Sequence, residues 1–134
     1  MEMRKESNHF VIRLTRGEKL FESMQSFFEQ TGVKGGRVQG IGAVDEITLG
    51  RYVLETKGYV WGTWQGEFEV VSLQGTISET GLHAHAVISD HSFQCFGGHV
   101  KEARVSATLE LFVTELKKIR REMDSEVGLK LLEL

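Results

Sequence analysis

The distribution of helical and strand periodicity most limits how this chain can fold. Only residues 20–28 carry apolar side chains at helical spacing, whereas residues 37–113 consist of strand-like segments separated by glycines. The apolar positions of the helical segment are Leu20, Phe21, Met24, Phe27 and Phe28. Thr15 and Glu18 fit a capping box that begins this helix, and Gly32 is placed to end it. The chain is therefore predicted to be an α+β domain in which one main helix covers a mostly antiparallel sheet.

Nine segments have the composition of β-strands. They are residues 9–14, 37–42, 46–52, 59–64, 68–77, 83–89, 93–100, 104–113 and 129–134. Alternation is clearest in the eighth, where one face is expected to carry Val105, Ala107, Leu109, Leu111 and Val113. One helix leaves the second face of such a sheet without cover. Self-association, with another copy covering that face, is expected on this ground.

Composition bounds the class of protein. The 134 residues suit one domain, expected over residues 1–134, and the hydrophobic fraction of 40% and charged fraction of 26% are globular values. A net charge of −3 argues against broad attraction to nucleic acid or anionic membrane. The basic run 117–121 is interleaved with acidic residues, so it is expected to be a solvated face. Residues 1–6 contain no signal-peptide apolar region, and no apolar run approaches the ~20 residues of a membrane span. A soluble, cytoplasmic protein that does not associate with membranes is expected.

Three histidines form the pattern that most clearly indicates chemistry. His83 and His85 are two residues apart, and His99 follows the glycine pair 97–98. Alternate side chains of a strand point to one face, so the first two would emerge side by side. A turn at residues 89–92 would bring the third alongside. Three imidazoles could then bind a divalent metal ion, zinc above all, with one or two coordination positions open. The alternative is that they are surface or hydrogen-bonded histidines on a polar face.

Cys95, the only cysteine, leaves three interpretations open. It precedes His99 by four residues, so on a strand it would share that face and supply a fourth metal ligand or a nucleophile. Its neighbours Phe93 and Phe96 favour a small buried apolar residue instead. His91 is expected in the turn.

Three carboxylates, Glu67, Glu69 and Glu110, fall within or directly beside predicted strands. Glu69 is the candidate catalytic residue, as a general base, a metal ligand or a group that orients a histidine. A solvated or salt-bridged side chain is the alternative.

The order of three motifs resembles the plant and prokaryote conserved (PPC) domain, also called DUF296, in its stand-alone prokaryotic form. The motifs are residues 66–75, then His83-Ala84-His85, then Gly97-Gly98-His99. Further similar positions are 16–18, 40–43 and 49–50. The resemblance implies a compact domain with an antiparallel sheet, assembled as a homotrimer, and a metal site at His83, His85 and His99.

In plants the domain follows an AT-hook that binds DNA, and it recruits other transcription factors partly through a Gly-Arg-Phe-Glu-Ile segment. The corresponding partner-binding positions here are Gly66, Glu67, Phe68, Glu69 and Val70. Glu67 replaces the arginine, which argues against the plant interaction. An AT-hook needs a proline, and this chain has none. Direct DNA binding therefore receives weak support.

Three functions follow from these observations. The first is a trimeric domain with a three-histidine site for a divalent metal ion, near a cleft between subunits that binds a small molecule or partner. The second is a DNA-associated regulatory interaction module without catalytic activity. The third is a metal-dependent hydrolase or lyase that uses metal-activated water.

Overall fold

The computed structural model describes residues 1–134 and contains one helix and eight strands. In chain order these are β1 (Glu2–Glu6), β2 (His9–Thr15), α1 (Leu20–Thr31), β3 (Gly36–Val53), β4 (Gly58–Ser78), β5 (Gly81–Ser89), β6 (Cys95–Glu115), β7 (Arg121–Asp124) and β8 (Leu129–Leu132). The helix is 12 residues long, which is too short to cross a membrane.

Helix α1 forms as predicted and packs its apolar stripe on the sheet. Leu20, Met24 and Phe27 lie four and three residues apart on one face, and all three are fully buried. Gly32 ends the helix in the left-handed conformation, with φ of 72°, and its N–H donates to the Phe28 carbonyl. The helix contacts β5 and β6. It therefore covers the sheet at the strands that carry the three histidines.

The predicted capping box at the start of this helix is wrong. The Glu18 carboxylate does accept hydrogen bonds from the Thr15 N–H and hydroxyl, at 2.7 and 3.1 Å. Those bonds close a turn at Gly17, whose φ is 87°, and the helix begins later, after Lys19, without a side-chain cap. A threonine followed three residues later by a glutamate also occurs in turns, because the same side-chain hydrogen bonds satisfy backbone N–H groups where the chain reverses direction.

Six strands form one antiparallel sheet in the order β1-β2-β6-β3-β4-β5. An additional pairing of β5 with the beginning of β6 joins the two ends of the β6-β3-β4-β5 series, so these four strands form a closed sheet. Strands β7 and β8 form a separate two-stranded sheet. The prediction of a mostly antiparallel sheet with one helix, in a compact single domain, is confirmed.

Strands β3, β4 and β6 are each twice as long as predicted, because the expected breaks are β-bulges. The β3–β4 register shifts between Gly40 and Gly42 and again between Val44 and Glu46. A bulge bends a strand without ending its pairing, so a local loss of alternation resembles a strand boundary in sequence. The predicted segments 37–42 and 46–52, for example, belong to one strand.

Of the predicted strand at residues 129–134, only Leu129–Leu132 forms a strand, β8. This strand pairs with β7 and does not extend the main sheet. Because the turn between β7 and β8 has only four residues, closing it costs little conformational entropy. The Tyr52 hydroxyl donates to the Val127 carbonyl at 2.7 Å, and Lys57 Nζ donates to the Ser125 carbonyl at 2.6 Å. These bonds fix the C-terminal hairpin, β7 and β8, against the turn between β3 and β4.

The two faces of the sheet differ in how far their apolar side chains are buried. The helix-covered face contains the core, including Leu109, Leu111 and Val113 of β6, whereas Ala107 is exposed at a bulge. The opposite face, called the outer face here, exposes large apolar side chains. They are Ile41, Val71, Val87 and Phe112. Away from the C-terminal hairpin, the second face is therefore uncovered, as the sequence predicted.

Candidate metal centre

The β5–β6 hairpin brings the three histidines together. In its register His85 lies opposite His99, and Ser89 lies opposite Cys95. The turn is held by the Asp90 carboxylate, which accepts hydrogen bonds from the N–H groups of Ser92 and Gln94 at 2.8 and 3.0 Å. The predicted reversal at residues 89–92, with His91 in the turn, is confirmed.

The three imidazole rings converge. Ring centroids are 4.9 Å apart for His83 and His99, 5.2 Å for His83 and His85, and 5.5 Å for His85 and His99. One nitrogen of each ring lies within 4.8 Å of those of the other two. The cluster contains no cysteine or carboxylate. His83 and His99 are half-buried, while His85 is exposed, so the cluster opens to solvent on one side.

Burial keeps two of these histidines uncharged. Loss of solvation, followed by the charges of His83 and His85, lowers the pKa of His99 to about 4. The pKa of His83 is also lowered, by burial first and then by the charges of His85 and Arg121. Nδ1 of His99 is buried and has no hydrogen-bond partner. Both rings are thus neutral at pH 7, the state in which imidazole has a lone pair to donate to a metal.

The donor set suits a zinc ion, and its spacing is somewhat wider than a bound ion requires. Tetrahedral Zn–N bonds of about 2.0–2.1 Å put ligand nitrogens about 3.3 Å apart. The widest separation in the cluster, 4.8 Å, exceeds this by about 1.5 Å. Rotations of the three side chains, one of them exposed, would have to close that gap for an ion to bind. Three histidines leave at least one coordination position free on the solvent side.

An aromatic wall borders the cluster at His99. The Tyr59 ring is centred 4.8 Å from the His99 ring and 4.8 Å from the Trp61 ring, on which it stacks at 21°. Gly50 lies opposite both Trp61 and His99 in the sheet. A Cβ at Gly50 would lie 2.5 Å from the indole of Trp61, so only glycine lets this ring cross the strand. The aromatic wall therefore depends on that glycine.

Arg121 lies beside the cluster, although the sequence predicted a solvated face for the run that contains it. Its guanidinium is half-buried and donates to the Thr76 hydroxyl at 2.8 Å and the Ser78 hydroxyl at 3.2 Å. Thr76 is the residue opposite His83. The prediction is wrong for Arg121 because the C-terminal hairpin folds back over the sheet, which residue-type alternation did not reveal.

Cys95 lies outside the cluster, and its predicted burial is also wrong. The residue is exposed. It sits at the far end of the hairpin, four residues from His99 and opposite Ser89. Phe93, two residues away at the turn, is itself exposed and does not cover the thiol.

Glu69 is not brought to the histidines. It is exposed on β4, opposite Ser89, which is four residues from His85 and thus about 13 Å along the strand. It lines a separate cavity of about 630 Å³ together with Asp45, Glu67 and Asp90. The geometry gives no support for a role of Glu69 in orienting a histidine. The role of segment 66–70, which lies largely exposed along this cavity, in binding a partner stays a prediction.

Sequence reasoning did not assign four residues to the site. Tyr59, Trp61 and Gly50 were visible only as an aromatic strand and a glycine junction, and Arg121 as one of several basic residues. Residue 50 pairs with residue 61 on one side and residue 99 on the other because the strands are long and contain bulges, which periodicity did not predict. The only early signal was the unusual aromatic content of residues 59–64.

We expect the metal-free protein to lose stability as the pH falls below neutrality because of His99. Its pKa is about 4 when folded and 6.5 in the unfolded reference. Between these values the unfolded chain binds more protons, so the free energy of unfolding decreases from about pH 6.5 down to about pH 4. Urea denaturation after chelation should show a smaller decrease in His99→Gln than in the unsubstituted protein. Imidazole NMR signals that place the His99 midpoint near 6.5 would contradict the expectation.

Comparison with known proteins agrees with this fold and these motifs. The sequence model of the Plants and Prokaryotes Conserved (PCC) domain matches residues 1–117. A protein from Bacteroides thetaiotaomicron that is proposed to bind DNA superposes with a TM-score of 0.94, at 25% identity over 98% of this chain and 96% of that one. A metal-containing protein from Archaeoglobus fulgidus has a TM-score of 0.86, at 29% identity over 99% and 96% of the two chains.

Two curated relatives are much longer proteins. The bifunctional protein GlmU of Synechococcus is 24% identical over 123 residues, which is 89% of this chain and 19% of the relative. The chain thus spans about a fifth of the length of these relatives. The match of the family over residues 1–117 and the similarity across whole solved chains lead to one conclusion: this chain belongs to the PCC domain family, the family also called PPC.

Proposed function

We propose that this protein binds one divalent metal ion, zinc, through His83, His85 and His99, and that the ion's open position receives a small molecule. The observation that carries this proposal is the convergence of three imidazole nitrogens within 4.8 Å, one ring of which has a buried nitrogen without a partner. Such a nitrogen is costly to bury unless something binds there. The metal-containing protein of Archaeoglobus fulgidus, similar over 99% of this chain, adds support.

Zinc fits this donor set better than magnesium or calcium. Those two ions prefer oxygen ligands, whereas neutral imidazoles suit zinc and its neighbours in the transition series. Three protein ligands with a fourth position open are typical of zinc sites that act on a bound molecule rather than hold the fold together. A zinc ion there would polarise a bound oxygen atom as a Lewis acid.

We also propose that the protein is a homotrimer joined through the outer face. Phe112 is 52% exposed and Ile41 is 59% exposed, and apolar side chains of this size are rarely clustered on a monomer surface. Phe112, Gln39, Gln74 and His85 are successive partners across four strands. The histidines therefore lie at the edge of the face that we assign to the interface. The number of subunits rests on the resemblance to the family.

Metal analysis tests the site. Protein purified without a chelator or a His-tag should contain about one zinc per chain. His85→Ala should weaken zinc binding by more than about 100-fold, because outer-shell changes alone cost about 10–100-fold. His91→Ala is the matched control: it removes an exposed imidazole in the adjacent turn and should leave binding unchanged. Less than about one-tenth equivalent of metal in a folded protein would refute the site.

Sedimentation equilibrium tests the assembly. The unsubstituted protein should have three times the chain mass of 15.1 kDa. Phe112→Lys puts a charge into the outer face and should lower that mass, since burying an unpaired charge is unfavourable. Phe93→Lys changes an equally large exposed side chain in the hairpin turn and should not. A mass of 15.1 kDa for the unsubstituted protein would refute the trimer.

DNA association is the second candidate, because a protein with 25% identity and a TM-score of 0.94 is proposed to bind DNA. The net charge of −3 weighs against it, since DNA binding draws mainly on positive charge. We expect no gel-shift complex with duplex DNA in 50 mM salt. A complex that weakens steeply between about 50 and 200 mM salt would favour DNA binding instead.

A further inference from the structure

The guanidinium of Arg121 has no carboxylate partner in the structure. It donates to the Ser78 hydroxyl, the Thr76 hydroxyl and the Lys130 carbonyl, at 3.2, 2.8 and 3.0 Å. Every one of these acceptors is uncharged. Three other arginines do pair with carboxylates, namely Arg4, Arg13 and Arg104. Arg121 is thus a half-buried positive charge that the protein orients but does not neutralise.

This charge lies on the same side of the sheet as the histidines. Thr76 is opposite His83, and directly opposite residues of an antiparallel pair put their side chains on one face about 5 Å apart. Arg121 binds that threonine. Arg121 therefore borders the cluster on the side of His83.

The local charge balance favours the binding of an anion at the site. No carboxylate belongs to the histidine cluster, and the hydrogen bonds of Arg121 go to hydroxyl and carbonyl oxygens only. With a divalent ion held by neutral imidazoles, the site would carry the charge of the ion and of Arg121 without compensation. Accumulated like charge in a half-buried site is unfavourable unless an anion binds.

Arg121 has donors left for such an anion. A guanidinium carries five N–H groups, and three are engaged here. The planar fork matches a carboxylate, which also offers oxygen to a metal. The adjacent wall of Tyr59 and Trp61 provides apolar surface for an organic body, which inorganic phosphate would not use.

We propose that the molecule bound at the metal centre is a small organic carboxylate, with one oxygen on the ion and hydrogen bonds from Arg121 to the carboxylate. This inference rests on the proposed metal site. Arg121 lies in the C-terminal hairpin, beyond residue 117, where the match to the family model ends.

Calorimetric titration of the zinc-loaded full chain with benzoate tests the inference. Benzoate should bind, while neutral benzamide and inorganic phosphate should bind at least tenfold more weakly. Arg121→Gln should weaken benzoate binding by about 10–100-fold, which corresponds to a hydrogen bond to a charged group of about 1.5–3 kcal/mol. Arg121→Lys should give an intermediate loss. Arg120→Gln removes the same charge from the exposed neighbouring position and should change binding less than twofold.

Zinc content of each variant, measured beside the titration, separates the two proposals. If the unsubstituted protein binds no zinc, the metal site fails, and the carboxylate site fails with it. If zinc is bound but benzoate binds no better than benzamide or phosphate, only the carboxylate inference is overturned. Equal benzoate affinity in Arg121→Gln and the unsubstituted protein overturns it as well. If Arg121→Gln does not fold, two measurements still test the carboxylate inference. They are the affinity of the unsubstituted protein for benzoate relative to benzamide and the affinity of Arg121→Lys for benzoate.

Discussion

The pairing of β5 with the start of β6 is the constraint on which the rest of this structure depends. It places His85 opposite His99 and closes the four-stranded part of the sheet. Gly97 makes the pairing possible, because a Cβ there would lie 2.2 Å from the Ala86 carbonyl oxygen. Without this close approach the third imidazole would not reach the first two. The glycines before His99 therefore serve the geometry of the cluster rather than flexibility.

The closed sheet also determines the electrostatics of the site. By placing His99 between the other two rings and the aromatic wall, it removes the water that would stabilise an imidazolium. Neutral rings repel each other little and keep their lone pairs. The unprotonated cluster can therefore donate nitrogen lone pairs to a cation. The same burial would make the cluster unfavourable if its nitrogens stayed unpartnered.

The fold and the cluster could be predicted from sequence because both depend on local patterns. The helix followed from apolar spacing and Gly32, and the three histidines followed from strand alternation plus one tight turn. What could not be predicted depends on long-range register. The bulges joined strands that looked separate, the end of the hairpin left Cys95 exposed, and Glu69 lay too far along β4. A bulge shifts which residues meet, and residue type alone does not reveal it.

Arg121 shows how a segment with little core of its own contributes to a site. Strands β7 and β8 bury little apolar surface, and an isolated two-stranded hairpin is marginally stable in water. Their position depends on polar bonds, from Tyr52 and Lys57 to the β7–β8 turn and from Arg121 to Thr76 and Ser78. Arg121 therefore both anchors the hairpin and supplies the charge beside the histidines. An anion that bound both the metal and the guanidinium would tighten the hairpin on the sheet, so ligand binding would be coupled to the order of this segment.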